Sequence, residues 1–190
     1  MSRDRLCAFS DGVIAILITV MVLELKVPEG ADFGALRADG PVLLAYLLSF
    51  IYLGIYWNNH HHFFHLVPRV NGAVLWANLH LLFWLSLVPF VTEWVGRNLF
   101  APAPTAIYGV VLLMAAVAWT IMQTVVLRSQ ETNSALARAL GRDWKGKTSP
   151  ALYVAGILLT FVHPALAYGL YALVAALWLV PDRRIEKSAR

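Results

Sequence analysis

Residues 150–180 read PALYVAGILLTFVHPALAYGLYALVAALWLV, about 31 residues without a single charge. As one helix this stretch would be about 46 Å long, against a bilayer core of about 30 Å. His163-Pro164 lies near its middle. A proline steers the residue before it away from helix, so the reading is two short helices joined by a tight turn. Basic residues decide between one span and two, because Lys and Arg collect on the cytoplasmic side of short loops. With six spans and an inside N-terminus, the cytoplasmic set is Arg3, Arg5, Arg69, Arg128, Arg138, Arg142, Lys145, Lys147, Arg183, Arg184, Lys187 and Arg190. Only Lys26, Arg37 and Arg97 then lie outside, a division of 12 to 3. Five spans would send the four C-terminal basic residues outside and leave 8 to 7. The expectation is six spans with both termini cytoplasmic.

Four other apolar stretches precede this one, at about residues 5–25, 41–65, 73–95 and 105–127. Each is close to the ~20 residues a helix needs to cross a bilayer core. Ser2 or Asp4 can cap the first, and Pro41 suits the first turn of the second. Pro89 predicts a kink in the third, tolerated in membrane spans where neighbours satisfy the freed groups. The polar segment at 128–149 suggests a short amphipathic helix near residues 134–140. Asp11 interrupts the first apolar run and no cleavage pattern follows, which rejects a removable signal peptide. No internal repeat or linker divides residues 1–190, so a single domain is expected.

Composition agrees. Of 190 residues, 59% are hydrophobic and 14% charged, against about 25% charged in soluble domains. A soluble chain of this size has too little interior to hide that much apolar surface. The net charge of +4 resides in short loops and forms no face for a nucleic-acid groove. Cys7 is the single cysteine, which excludes an intrachain disulfide. The fold class is therefore an all-α integral membrane protein.

Polar groups inside spans are costly and ask for reasons. In the first helix, Ile16, Thr19, Val20 and Leu23 fall on one stripe at i, i+3, i+4 and i+7, extended by Phe9 and Gly12. Ser10 and Asp11 lie off that stripe and are expected to face neighbouring helices. The second helix ends in Tyr56, Trp57, Asn58, Asn59, His60, His61, His62 and His65, with His61 and His65 at the i, i+4 spacing of a two-histidine metal site. No Glu lies between them as in zinc proteases. The third helix carries Asn78 and His80 at a matching depth, suited to hydrogen bonds between helices.

Arg5-x-x-x-Phe9-Ser10-Asp11-Gly12-Val13, Tyr56-Trp57-x-x-His60-His61 and the Asn78-to-Phe90 segment together resemble the transmembrane-protein-175 family. These are endolysosomal potassium channels of animals and their bacterial homologues, and the resemblance covers nearly the whole chain. It implies a bacterial plasma-membrane protein, a homotetramer with a central pore lined by helix one, and permeant K+ and other monovalent cations with no cofactor. Carried over position by position, Ile16 would form the main hydrophobic constriction and Thr19 a hydroxyl ring implicated in selectivity. Val20 and Leu23 would form outer apolar rings, and Arg5 would tie helix one to Trp57 and His60 or His61. A Thr-Val-Gly-Tyr-Gly filter is absent, Tyr108-Gly109 being only a fragment. Glu24, Glu29, Asp32, Asp39 and Glu93 would give an acidic outer mouth.

Two rivals come from other classes. A secondary transporter or metal carrier would use the His60–His65 cluster with Asp11 and would show proton or metal coupling. An intramembrane enzyme would need a nucleophile beside a base, but Ser10 and Asp11 are adjacent and point about 100° apart on a helix. The expectation is a passive channel, modestly selective for K+ over Na+, and not an enzyme.

Overall fold

The structure is a computed structural model, and it describes residues 2–129 and 144–179. Among the described residues all regular structure is helical: α1 (Arg3–Leu23), α2 (Phe33–Ala38), α3 (Gly40–His65), α4 (Gly72–Ser86), α5 (Val88–Arg97), α6 (Pro102–Ser129), α7 (Trp144–Thr160) and α8 (Pro164–Leu179).

The helix starts follow local chemistry. Ser2 caps α1, its side chain accepting from the Arg5 N–H, and Asp32 and Asn71 cap α2 and α4 in the same way. Each cap satisfies a backbone donor that a helix N-terminus leaves without an intrahelical partner. Pro41 sits in the first turn of α3, where its missing N–H costs nothing.

Proline also sets the breaks. Leu87 separates α4 from α5 two residues before Pro89, whose ring would strike the carbonyl four residues back. Together they still form one span of 26 residues, Gly72–Arg97. The His163-Pro164 break is present too: residues 161–163 leave the helix, with the His163 N–H on the Leu159 carbonyl at 2.8 Å. The helix before it starts earlier than expected, being described from Trp144 rather than Pro150. Thr148 and Ser149 turn their hydroxyls back to the carbonyls of Trp144 and Lys145, and the helix runs on through Pro150. The amphipathic helix expected at residues 134–140 lies outside the described residues.

Four spans are long and apolar enough to cross a membrane: Arg3–Leu23, Gly40–His65, Gly72–Arg97 and Pro102–Ser129. The last two helices have 17 and 16 residues, shorter than any of those four spans.

Helix α6 is the hub, packing against α4, α5, α7 and α8, while α1 lies at the edge against α3, α4 and α5. Gly109 on α6 and Gly156 on α7 let the Tyr171 ring of α8 press between them; a methyl at 109 would overlap its hydroxyl. Around that ring the core is hydrogen-bonded rather than purely apolar. Tyr52 donates to the Tyr171 carbonyl at 2.5 Å, Thr92 donates to Ser49 at 2.6 Å, and Ser49 meets the Tyr108 hydroxyl at 3.0 Å. Buried polar atoms need such partners, and more so where no water is at hand.

Candidate functional site

Helix α1 has two faces. Leu6, Ser10, Ile14, Leu17 and Met21 are buried against the bundle. On the other side Ile16 is 62% exposed and Leu23 77%, and Phe9, Gly12, Thr19 and Val20 are exposed beside them. The stripe anticipated from helical spacing is thus the face of α1 that its own chain leaves uncovered.

The Thr19 hydroxyl donates to the Ala15 carbonyl at 3.0 Å. That bond engages the hydrogen and leaves the lone pairs of the oxygen to accept. The oxygen therefore keeps its acceptor capacity on the uncovered face.

Of the residues named as a packing network, the structure joins three. Ser10 donates to the Leu6 carbonyl at 2.9 Å and accepts from the Asn78 amide nitrogen at 2.9 Å. The Asn78 oxygen therefore faces His60 Nε2 at 2.8 Å. An amide oxygen can only accept, so Nε2 carries the proton and Nδ1 is the bare nitrogen. Nδ1 is buried without a hydrogen-bond partner among the described residues. This relay fixes the inner face of α1 to α4 and α3 at one level.

The remaining members stand apart from it. Arg5 is exposed, and its guanidinium makes no hydrogen bond or ion pair among the described residues, so within one chain it does not tie α1 to Trp57, His60 or His61. Arg3 makes the link instead, donating to the His65 carbonyl at 3.4 Å. Carbonyls at a helix C-terminus lack intrahelical donors and attract a cation, which was the available signal for Arg3. Asp11 is half-buried, and Trp57 is exposed with its ring 6.3 Å from His61. The His61 and His65 rings are 5.7 Å apart, but no group of three His, Cys, Asp or Glu gathers to hold a metal among the described residues.

At the far end of α1, Glu24, Lys26, Asp39, Glu93 and Arg97 line a recess of about 290 Å³. Three of the five expected acidic residues meet there. Glu93 is ion-paired with Arg97, and Asp32 is occupied in capping α2.

Residues 5–89 match the family described as "Endosomal/lysosomal potassium channel TMEM175". Over 190 residues the chain is 55% identical to a potassium channel from Chryseobacterium sp. (strain P1-3), covering 100% of this chain and 99% of that one. The chain belongs to the TMEM175 family. Among solved structures it is similar to a lysosomal potassium-selective channel TMEM175 homologue from Chamaesiphon minutus, with a TM-score of 0.80 and 28% identity over 94% of this chain and 96% of that one. The human relative, named an endosomal/lysosomal proton channel TMEM175, is 33% identical over 105 residues, which is 49% of this chain and 21% of its own length. TMEM175 proteins are ion channels, not enzymes.

Proposed function

We propose that this chain is a passive potassium-permeable channel, modestly selective for K+ over Na+, assembled as a homotetramer around α1. The observation that carries the reading is the uncovered face of α1, where Ile16, Thr19, Val20 and Leu23 stand opposite the helix's own packing face. The potassium channel from Chryseobacterium and the potassium-selective homologue from Chamaesiphon minutus support the choice of ion.

In the tetramer four Ile16 side chains form the hydrophobic constriction. A narrow apolar ring sheds water, and a cation stripped of water without replacement ligands costs many kcal/mol, so conductance stays low until the ring widens. One turn outward, four Thr19 oxygens offer partial replacement ligands. Val20 and Leu23 form outer rings, and the recess around Glu24 and Asp39 raises the local cation concentration. The Ser10–Asn78–His60 relay holds α1 against α4 and α3. Helices α7 and α8 complete six spans in one channel domain, and the 12-to-3 distribution of basic residues puts both termini in the bacterial cytoplasm.

The test is K+ efflux from liposomes containing the purified protein, with and without a proton gradient or added zinc. Uncoupled efflux, larger for K+ than for Na+, is the expected result. Flux that strictly requires protons or zinc would favour a transporter or metal carrier built on His60–His65 and would overturn the channel.

A further inference from the structure

The geometry points to a binding site for an anionic phospholipid in the groove between α6 and α7, at the end of α6 away from the acidic recess. The groove measures about 450 Å³, within the 300–1,000 Å³ typical of small-molecule sites. Its apolar part is built by Val117, Ile121, Leu127 and Pro150. Lys147 and Gln123 stand on its polar rim.

Three features select the occupant. First, Lys147 is exposed and has no ion-pair or hydrogen-bond partner among the described residues. Its ammonium, and the equally unengaged amide of Gln123, supply donors for a phosphate. Second, the neighbouring hydroxyl of Thr124 is spent on the Thr120 carbonyl at 2.8 Å, so the rim donates through Lys147 and Gln123. Third, Arg128 follows directly on Leu127, so a second cation stands at the same end of α6. Basic residues between spans at the membrane surface favour anionic headgroups, while an adjoining apolar floor takes the start of an acyl chain.

The groove shares Thr120 and Gly146 with an inner chamber walled by Tyr56, Trp119, Tyr153 and Trp178. That chamber offers only about 30 Å³, room for a water or two. The lipid therefore stays in the outer groove. This assignment rests on α6 spanning the membrane, and it is independent of whether the protein conducts.

The test is native mass spectrometry of the delipidated full chain offered equal amounts of phosphatidylglycerol and phosphatidylcholine. Preferential retention of phosphatidylglycerol is expected. Lys147→Gln should lower it about fivefold, the equivalent of one basic residue at a charged membrane surface. Lys147→Arg should restore it, and Lys26→Gln at the opposite end should leave it unchanged. On the native protein, which removes any question of folding, 1 M salt should abolish the preference as the Debye length falls to about 3 Å. Equal retention of the two lipids by the native protein, or undiminished preference in Lys147→Glu, overturns the site. Potassium efflux from phosphatidylcholine liposomes, measured in parallel, reports on the channel separately.

Discussion

Replacing Asn78 by leucine tests how α1 is held. Asn78 is 2% exposed, and it bridges Ser10 at 2.9 Å and His60 at 2.8 Å. Leucine matches its size but removes both bonds at once. His60, itself 1% exposed, then keeps a proton on Nε2 with no acceptor. A buried donor deprived of its partner costs about 1–3 kcal/mol in soluble proteins. Hydrogen bonds between helices in membranes average nearer ~0.6 kcal/mol, with a maximum near ~1.7. Two bonds lost and one donor stranded therefore set the expected destabilisation at about 1–3 kcal/mol. The assay is reversible unfolding in mixed detergent micelles, run as a double-mutant cycle with His60→Phe. Phenylalanine removes the stranded donor, so the double variant should recover about 0.5–1.5 kcal/mol relative to the sum of the singles. Strict additivity, within about 0.3 kcal/mol, would show that Asn78 and His60 do not act as a pair and would refute the relay.

Other expectations follow from the same contacts. Nitrogen NMR of labelled histidine should show His60 protonated at Nε2 and bare at Nδ1; the opposite tautomer would require Asn78 to present its amide nitrogen to the ring. Gly109→Ala should lower stability by about 1–3 kcal/mol, because the added methyl overlaps Tyr171, which is 0% exposed. Pairing it with Tyr171→Phe, which removes the overlapping hydroxyl, should recover part of that loss, and no recovery in unfolding experiments would contradict the contact. Thr19→Ala should reduce the ratio of K+ to Na+ flux with folding intact, whereas Thr19→Ser, keeping the oxygen, should preserve it. An unchanged ratio in Thr19→Ala would remove the hydroxyl from ion discrimination.

The features legible in the sequence are those set within a turn or two of chain. His163-Pro164 and Pro89 break helices because proline acts on its immediate neighbours, and both breaks lie where their positions required. A helical period grouped Ile16, Thr19, Val20 and Leu23 on one stripe of α1, but the period alone does not say that the stripe is left uncovered. Residues far apart were harder. Ser10 and Asn78 are 68 positions apart, and helical spacing says only that each faces some neighbour, not which one. Arg5 and Arg3 are both basic and two residues apart, so the link to α3 depends on a geometry that spacing alone does not carry. The early start of α7 is not legible because residues 145–149 are polar or glycine, a pattern that resembles a loop, while their hydroxyls bond within the helix to carbonyls one turn back. The core around Tyr171 was also invisible, since Ser49, Thr92 and Tyr108 read singly as ordinary residues of apolar helices.

The central claim is that the uncovered face of α1 surrounds the ion path. Single-channel recording of Ile16→Asn in planar bilayers tests it most directly. A polar side chain keeps the constriction wet, so conductance should rise several-fold, while Leu158→Asn on α7, an exposed position away from α1, leaves it unchanged. A folded Ile16→Asn protein with native conductance would contradict the claim, because a ring of four asparagines in the narrowest part of a pore cannot pass unnoticed by the ion.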